Sequence, residues 1–346
     1  MKCITFLVPC YNSEAYIDRC VNSLVVAGED AEIIIVNDGS TDRTGEIAEQ
    51  YALQYPDIVR VINQAYGGHG SAVNRGIENA EGVYFKVVDS DDWLDPTALQ
   101  TLMVRLRVFC MMQLRSQITS VPDLLICNYV YDHLNESSSR SVGYRQAMHP
   151  DIMYGWDGLN SFRLSQYFVM HAMIYRTSVL KDCGIVLPEH IFYEDNLYSY
   201  QPLPFTKRLY YIDIDLYHYF IGRADQSVNE NVMLKNVDQQ VRIAHLMSRA
   251  ADMDSVRLTN PKLASYMRRY LSMIYAITTV LLLMTGTEKA HRQYTDLWEG
   301  LKKHDPETYR LLRYHSMSIL TTLPGWEGRR AIIAGYHLAR RIYKFN

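Results

Sequence analysis

Three carboxylates, Asp89, Asp91 and Asp92, directly follow the apolar pair Val87–Val88 in the stretch VVDSDDW. Carboxylates this close repel one another, and such a cluster is stable chiefly when a divalent cation or a basic partner neutralises it. Carboxylate oxygens suit Mg²⁺ or Mn²⁺, which would share their remaining positions with water and a diphosphate. The alternative is a solvated turn whose aspartates cap the helix that starts near Pro96. The Asp-x-Asp spacing alone leaves both interpretations open.

Length and composition bound the class of protein. At 346 residues, with 48% hydrophobic and 21% charged residues, the chain is typical of one large globular domain or two. A net charge of −3 gives no polyanion-binding signature, so nucleic acid is not an expected partner. The six cysteines form no Cys-x-x-Cys pair and the N-terminus lacks an apolar leader, which predicts a reducing cytoplasm. The 27 tyrosines hint at a carbohydrate site, although ordinary half-buried tyrosines explain most of them.

The first hundred residues alternate in the manner of a βαβ protein. Strands are predicted in CITFLVPCYN, AEIIIVNDGS, IVRVINQ and VYFKVVDSDD, with helices between them. The first two helices are predicted to be capped by Ser13 and by Ser40 or Thr41. Ligands of such sheets gather at the carboxyl ends of the strands, where Asp38 and Asp89 both lie.

The second half of the chain changes character. A helix is predicted at about 97–116, then a strand in DLLICNYVYDH and a polar connection, LNESSSRSVGY, that resembles a hairpin tip. From about residue 230 the segments have helical periodicity and are separated by Pro or Gly. The most apolar run, Leu271–Met284, is shorter than the roughly 20 residues that a bilayer requires and is interpreted as a buried core helix. We therefore predict a catalytic domain at 1–228 and a helical extension at 229–346.

Four stretches carry a family resemblance: FLVPCYN, IIIVNDGSTDRT, GGHGSAVNRGIENAEGVYFKVVDSDDWLD and FYEDNLY. They occur in the order and approximate spacing of the family 2 glycosyltransferases, and the resemblance spans about residues 1–225. It implies a GT-A fold, which is an α/β, Rossmann-like mixed sheet flanked by helices. It also implies that a sugar passes, with inversion, from a nucleotide-diphosphate donor to an acceptor hydroxyl.

The resemblance assigns donor-binding residues one by one. The turn Val8–Asn12 would border the nucleotide base, and Asp38 would accept a hydrogen bond from the base imide, which favours a uracil- or thymine-like edge. The alternative for Asn37-Asp38-Gly39 is a plain turn that needs no ligand. Asp89 and Asp91 would hold the metal, with Ser90 near the ribose. The complete donor-binding set implied in this way is Pro9, Tyr11, Asn12, Asp38, His69, Asn74, Lys86, Asp89, Ser90 and Asp91.

One position departs from the family pattern. Many relatives have Ala-Arg-Asn-x-Gly where this chain has Ala-Val73-Asn-Arg-Gly, so the arginine often placed against the nucleotide is missing. His69, Arg75 and Lys86 are the nearby cations that could replace its charge. The glycines around His69 could also let the backbone approach phosphate or sugar closely.

The pair Glu194-Asp195 matches the family's Glu-Asp motif, whose Asp is generally the catalytic base. Adjacent carboxylates point in different directions, so Asp195 can accept the acceptor's proton while Glu194 is tied to structure. The alternative is a solvated helix N-terminus. The segment LYHYFIGRADQSVN resembles a further family motif, which makes His218 and Arg223 candidates for phosphate or acceptor contacts, as Glu194 is from the Glu-Asp motif. A histidine beside aromatic or apolar residues is more often a packing residue, and His171 is interpreted in that way.

The resemblance implies a metal-dependent glycosyltransferase that uses Mg²⁺ or Mn²⁺. A UDP-sugar is the expected donor, and a cell-envelope glycan, exopolysaccharide or lipid-linked precursor is the expected acceptor. The alternatives are a non-catalytic glycan-binding or scaffolding protein on a GT-A fold, and a nucleotidyltransferase. The latter would need a Gly-rich basic loop on the first strand, which VPCYNSEAY does not provide.

The last segment, 326–345, has five cationic residues, no acid after Glu327, and apolar residues at roughly helical spacing. Such a pattern is typical of an interfacial amphipathic helix, although packing on neighbouring helices would produce the same spacing. We expect a cytoplasmic protein with a peripheral contact at the inner face of the cell membrane.

Overall fold

The computed structural model describes residues 1–115, 121–133, 139–163, 166–222, 226–227, 229–315, 328 and 330–337. The chain divides into two compact units, Met1–Ile221 and Gly222–Asn346. The division falls between residues 221 and 222, whereas the sequence suggested 228 and 229. The first unit contains all the described strands, and the second is built from helices.

The first unit is organised around one mixed sheet with the strand order β3-β2-β1-β4-β9-β6-β10-β5. Strands β1 to β4 are mutually parallel, β9 runs antiparallel to β4 and to β6, and β6 and β10 are parallel to each other. Two short strands lie off this path, β7 beside β6 and β8 beside β10. The strands are β1 Ile4–Cys10, β2 Ala31–Asp38, β3 Val59–Gln64, β4 Tyr84–Val87, β5 Trp93–Leu94, β6 Leu124–His133, β7 Arg140–Val142, β8 Met153–Tyr154, β9 Met173–Arg176 and β10 Leu209–Ile221.

Helices flank the sheet and build the second unit. In the first unit they are α1 Ile17–Val25, α2 Thr44–Gln54, α3 His69–Asn79, α4 Pro96–Leu114, α5 Thr177–Asp182 and α6 Asp195–Tyr200. In the second unit they are α7 Glu230–Lys235, α8 Val237–Met247, α9 Met253–Thr259, α10 Pro261–Thr285, α11 Glu288–His304 and α12 Pro306–His315. Residues 330–337 are also helical. The GT-A arrangement that the motifs implied is confirmed by this sheet and its flanking helices.

The predicted helix caps were wrong at the first two helices. Helix α1 begins at Ile17 without a side-chain cap, and the Ser13 hydroxyl instead lies 2.7 Å from the Ser90 hydroxyl. Helix α2 begins at Thr44, whose N–H is bound by Asp42. The Ser and Thr residues that looked like caps are used to join neighbouring loops, because three loops meet at the carboxyl ends of β1, β2 and β4.

The acidic segment after β4 is a turn rather than part of a strand. Strand β4 ends at Val87, and the chain turns at Asp89–Asp92 before it enters the two-residue strand β5, which pairs with β10. Helix α4 is capped by Asp95, whose carboxylate accepts from the Ala98 N–H at 2.8 Å. Since Asp95 performs this capping, the acids before it are available for other contacts.

Helix α10 is long and apolar enough to cross a membrane by length and composition, and 61% of its apolar stretch is buried. Its buried side chains pack against α8, α9 and α11 of the second unit. The interpretation of Leu271–Met284 as a core helix agrees with this packing. The amphipathic segment 326–345 lies largely outside the described residues.

Gly82 lies just before β4, where the chain comes very close to strand β1. A Cβ at Gly82 would lie 2.3 Å from the Thr5 nitrogen and 2.4 Å from the Ile4 carbonyl carbon, both backbone atoms. We expect Gly82→Ala to lower the free energy of unfolding by about 1–3 kcal/mol in a denaturant titration, because neither strand can move aside without losing its pairing. The matched control is Gly155→Ala, where the nearest atom is 3.8 Å away. Equal losses in the two variants would contradict the close approach.

Candidate active site

Asp38, at the end of β2, holds together the loop that precedes α3. Its carboxylate accepts from the N–H groups of Gly67 at 2.9 Å and Gly68 at 2.7 Å, and from the Gln64 side-chain amide at 2.7 Å. Gly68 has φ +86°, a conformation that favours glycine. A carboxylate offers about four acceptor positions, so one more donor can be accommodated. The structure gives Asp38 a structural role and leaves the predicted contact with a base imide as a prediction.

Two exposed aromatic rings lie beside Asp38. Tyr11 follows β1 and Tyr66 follows β3, and their ring centroids are 4.5 Å apart. Tyr11 is 47% exposed and Tyr66 is 51% exposed, so both rings are accessible to a flat ligand. Tyr66 was missed by sequence reasoning, although its place beside Gly67 at the carboxyl end of a strand was a usable signal. The tyrosine pair and the carboxylate together suit a nucleobase.

Three further residues that were predicted to bind the donor, Pro9, Asn12 and Ser90, pack or form hydrogen bonds within the protein. Pro9 is buried within β1 and pairs in register with Val36. Asn12, with φ 49°, accepts from the Thr41 N–H at 2.8 Å and ties the loop after β1 to the loop after β2. Ser90 is buried beneath the acidic turn. Pro9, Asn12 and Ser90 therefore support the strand and loops that form the site.

The three acids of the turn have different surroundings. Asp92 is fully buried and accepts from the Tyr217 hydroxyl at 2.5 Å and the Phe220 N–H at 2.8 Å. Burial and the charges of its two acidic neighbours raise the pKa of Asp92. The Asp91 carbonyl accepts from the Arg19 guanidinium at 2.7 Å. Asp92 therefore anchors the turn from within, while Asp91 is partly exposed at its tip.

His69 joins the acidic turn to the predicted catalytic pair. Its Nε2 lies 2.9 Å from Asp89 Oδ1, and its Nδ1 lies 2.7 Å from Glu194 Oε1. Burial opposes protonation, but the hydrogen bonds and charges of the two carboxylates outweigh it and raise the pKa of His69 well above its usual value. Burial would raise the pKa of Asp89, but its interactions with His171 and His69 outweigh burial and lower that pKa. His69 is thus an imidazolium between two carboxylates.

Glu194 and Asp195 point in different directions, as adjacent carboxylates on any backbone do. Glu194 is only 3% exposed and is bound by His69. Asp195, the first residue of α6, is half-buried and accepts from the Asn196 amide at 3.1 Å. Burial and the neighbouring charge of Glu194 raise the pKa of Asp195 to about 6. A carboxylate with this pKa is ionised at neutral pH and basic enough to accept a proton.

His171 is a second site residue that sequence reasoning missed. It lies just before β9, and its Nε2 is 3.6 Å from Asp89 Oδ2. Within the described part of the chain, Asp89, Asp92 and His171 form a group whose ligand atoms lie within 4.8 Å of one another. Both Asp92 oxygens already accept hydrogen bonds, whereas Asp89 is bound by His69 through Oδ1 and has Oδ2 3.6 Å from His171 Nε2. The carboxylates of the turn fit Mg²⁺ or Mn²⁺ by their chemistry.

The polar groups of Lys86 and Asn74 are bound by the protein's own backbone. Lys86 is fully buried, donates to the His171 carbonyl at 2.7 Å, and has a pKa lowered to about 8 by burial. Asn74 exchanges two hydrogen bonds of 2.8 Å with the backbone of Leu187. Their predicted contacts with the donor are at odds with this placement, because both polar groups are used inside the protein.

The structure distinguishes the cations that could replace the arginine missing at Val73. Val73 itself is fully buried. Arg75 pairs with Glu78 at 3.3 Å in an exposed position on α3. Of the three candidate cations, His69 is the one whose side chain contacts Asp89 directly.

His218 faces away from this group. Its Nδ1 lies 2.5 Å from Asp132, and its ring stacks on Trp93 with centroids 5.2 Å apart. Arg19 holds the acidic turn on this side. Its guanidinium lies 3.8 Å from the centre of the Trp93 ring and donates to the Asp91 carbonyl. Arg223, predicted with His218, lies outside the described residues.

Three of the four non-glycine residues with positive φ in the described ranges border this site. They are Asn12 at 49°, His190 at 54° and Tyr193 at 72°. An aromatic residue at positive φ is strained by about 1–3 kcal/mol and persists only where its surroundings hold it. Tyr193 immediately precedes the Glu194-Asp195 pair, so the strain is located where the predicted base must be oriented.

Comparison with known proteins identifies the family to which this chain belongs. The profile of the family described as Glycosyl transferase family 2 matches residues 5–108. The chain is 30% identical to the uncharacterized glycosyltransferase YibD of Escherichia coli (strain K12) over 256 residues, which covers 71% of this chain and 70% of that protein. It is 31% identical over 230 residues to the EpsH protein of Bacillus subtilis (strain 168). The chain belongs to the family 2 glycosyltransferases.

The chain spans 60% of EpsH, and its match to the EpsJ glycosyltransferase of the same organism covers 29% of that protein. Among solved structures it is similar to Staphylococcus aureus TarS 1–349 in complex with UDP-GlcNAc. That likeness has a TM-score of 0.65 and 22% identity, and covers 99% of this chain and 92% of that one. At this identity the likeness supports the GT-A fold.

The imidazolium bridge makes a stability prediction. We expect His69→Ala to lower the free energy of unfolding by about 2–4 kcal/mol at pH 6, because it leaves the buried Glu194 carboxylate without its cation. The pKa of His69 is higher in the folded than in the unfolded chain, so this stabilisation is present at acidic pH and is lost as the pH rises through the folded value. The difference between wild type and variant, measured by denaturant titration, should therefore narrow at alkaline pH. The exposed His149→Ala is the control, and a difference that grows with pH would contradict the bridge.

Proposed function

We propose that the protein is an inverting glycosyltransferase that moves a sugar from a UDP-sugar to a hydroxyl of a cell-envelope glycan, exopolysaccharide or lipid-linked precursor. The observation that carries the proposal is the His69 bridge between Asp89 and Glu194. The acidic turn is expected to bind the donor, and the Glu194-Asp195 pair is expected to act on the acceptor. Through the bridge, only the His69 side chain separates the two. Such proximity is what a direct transfer between two bound substrates requires.

The donor end supports a uridine nucleotide. Tyr11 and Tyr66 offer aromatic surface for a base, and Asp38, at the end of β2 beside them, has its carboxylate oriented by backbone N–H groups. A carboxylate that accepts from an imide rejects bases that lack this donor. TarS, which has a similar fold, was solved with UDP-GlcNAc and with UDP.

Chemistry at the acceptor end is assigned to Asp195. Its ionised carboxylate would accept the proton of the attacking hydroxyl, and a single in-line displacement at the anomeric carbon would invert its configuration. Glu194 is held by His69 and would orient the backbone of its neighbour rather than take the proton. Asp89 and Asp91 would hold a divalent cation, which when bound would neutralise charge on the departing nucleotide diphosphate.

The rival functions make different predictions about donors. A glycan-binding scaffold would bind glycans without consuming a nucleotide sugar, and a nucleotidyltransferase would consume a nucleoside triphosphate. A donor-hydrolysis assay across UDP-, GDP- and dTDP-sugars separates them, because only a glycosyltransferase releases nucleoside diphosphate from its cognate donor. Consumption of UDP- or dTDP-sugars but not of GDP-sugars would support the assignment of Asp38 to the base imide.

A cytoplasmic location at the inner membrane face completes the proposal. Its support is the basic and apolar pattern of residues 326–345, which suits the surface of an anionic leaflet. Liposome co-sedimentation of the full chain and of a truncation at Pro324 tests it. Equal binding of the two proteins to anionic vesicles would remove the segment from the proposal.

Asp195 gives the most direct test of the chemistry. We expect Asp195→Asn to reduce transfer by about 10²–10⁴-fold while UDP affinity stays unchanged, since the base acts on the acceptor. The pKa of about 6 means that wild-type transfer should rise with pH through about 6 as the carboxylate ionises. The exposed Asp182→Asn serves as the control. Transfer within a few-fold of wild type in Asp195→Asn would move the base elsewhere, with Glu194 the next candidate.

Cation binding should depend on the nucleotide. Two carboxylates give a divalent ion an incomplete set of ligands until the diphosphate adds oxygens, so Mn²⁺ should bind more tightly in the presence of UDP. Asp91→Asn should abolish this gain without unfolding the protein. Calorimetric titration of Mn²⁺ with and without UDP measures both effects, with Asp157→Asn as the control. Equally tight binding in the two titrations would refute the assignment.

A further inference from the structure

Helix α4, Pro96–Leu114, has an exposed apolar stripe opposite the side that packs into the protein. Val104, Val108 and Met111 are spaced four and three residues apart, so they lie on one line along the helix, and Leu114 lies beside the end of that line. The four side chains are 57%, 44%, 54% and 68% exposed, in chain order. A helix that is apolar all round is ordinarily covered all round, so this stripe is expected to meet a partner.

The stripe is large enough to be the core of an interface. Arg105 of α4 pairs with Asp151, which places the next residue, Ile152, near the helix, and Ile152 is 48% exposed. Together the five apolar side chains leave on the order of 500 Å² open, in the upper range for the largest apolar patch of a monomer, which is often functional. A stable interface buries about 800 Å² on each partner, as an apolar core within a polar rim. The stripe suits the core, and the charged residues beside it suit the rim.

The charges beside the stripe favour a protein partner over an anionic lipid surface. Arg105 pairs with Asp151 at 3.2 Å on one side of the stripe. Arg107 pairs with Asp30 at 2.6 Å on the other side. Arg115, directly after the helix, is the third arginine of this segment. Segments that bind anionic lipid typically carry about four or more cations, whereas two of these three arginines already have a carboxylate beside them.

We propose that this stripe is the contact between two copies of the chain, packed with their α4 helices antiparallel about a two-fold axis near Val108. In that arrangement the Val108 side chains of both copies meet at the axis, and Val104 of one copy packs against Met111 of the other. Side chains of this size let two helix axes approach to about 8–10 Å. A two-fold contact uses the same surface on both copies, so a single stripe is sufficient. The inference goes beyond the proposed function and does not depend on it.

Charge sets the relative direction of the two helices. In a parallel pair the Arg115 residues of the two copies would lie together at one end of the contact, where like charges repel. In an antiparallel pair Arg115 of one copy lies instead beside Thr101 of the other, which is exposed on the same line of the helix. Arg107 lies near the axis in both copies, and the Asp30 carboxylate bound to each compensates its charge.

Sedimentation velocity of the full chain tests the association. We expect a species of twice the 40.1 kDa chain mass. Val108→Asp should weaken dimerisation about 100-fold, because it places two carboxylates together at an apolar axis. Leu53→Asp, at an 83% exposed position of α2, is the matched control and should leave the dimer unchanged. An unchanged far-ultraviolet circular dichroism spectrum checks that each variant is folded.

Two results of this experiment would overturn the inference. One is a wild-type chain that stays monomeric up to about 100 µM, and the other is a Val108→Asp variant that dimerises like wild type. The wild-type monomer is then tested for binding to anionic vesicles. Binding that Val108→Asp abolishes would assign the stripe to a lipid surface in place of a second copy.

Disulfide trapping tests the geometry of the contact. Positions that face each other across two packed helices satisfy the roughly 4.4–6.8 Å between Cα atoms that a disulfide requires. In a Cys183→Ser background, which removes the native cysteine that is not buried, Val108→Cys should give a covalent dimer on oxidation with diamide, seen by non-reducing electrophoresis. Val104→Cys alone should not, because it faces Met111, whereas Val104→Cys combined with Met111→Cys should. Equal trapping of Val104→Cys and Val108→Cys, or trapping of neither Val108→Cys nor the double variant, would contradict the antiparallel contact.

Discussion

The imidazolium of His69, held between Asp89 and Glu194, is the interaction on which the site depends. Two carboxylates at hydrogen-bond distance from one ring would repel each other strongly without a positive charge between them. The bridge lets the acidic turn after β4 and the Glu194-Asp195 pair at the start of α6 approach each other. If either carboxylate were removed, the His69 imidazolium would keep only one of the two negative charges that compensate its own.

The N-terminus of α3 is therefore a hub for three parts of the molecule. The two glycines before it donate their N–H groups to Asp38, and His69 begins the helix. A Cβ at Gly70 would lie 2.5 Å from the Pro188 carbonyl oxygen, so the helix packs directly on the loop that leads to Glu194. A displacement of this one helix end would disturb the loop bound by Asp38, the acidic turn and the Glu194-Asp195 pair together.

The reversal of strand direction in the sheet explains how residues from distant segments meet at one edge. Strands β1 to β4 bring the loops that follow them to their carboxyl ends, as in other parallel sheets. Strand β9 runs the opposite way, so His171 just before it lies next to Asp89 just after β4. Beyond β9, strands β6 and β10 run parallel to each other again. The change of direction at β9 therefore brings side chains from distant parts of the chain to one edge of the sheet.

Local patterns in the sequence were sufficient for the elements and the motifs. Alternation of apolar runs with helical spacing predicted the strands of the first hundred residues, and the motif order indicated the family and the importance of Asp38, Asp89 and Asp195. The apolar composition of Leu271–Met284 likewise predicted a core helix. These features depend on neighbouring residues, which is why periodicity and spacing reveal them.

Only the tertiary structure decided how the polar groups are shared. His69 and Glu194 are 125 positions apart, and no local pattern pairs them. Asn74 and Lys86 looked like ligands of the donor but are used inside the protein, while His171 looked like a packing residue but lies against Asp89. A side chain's partners follow from the meeting of distant segments, and a buried polar group takes whichever partner the fold places beside it.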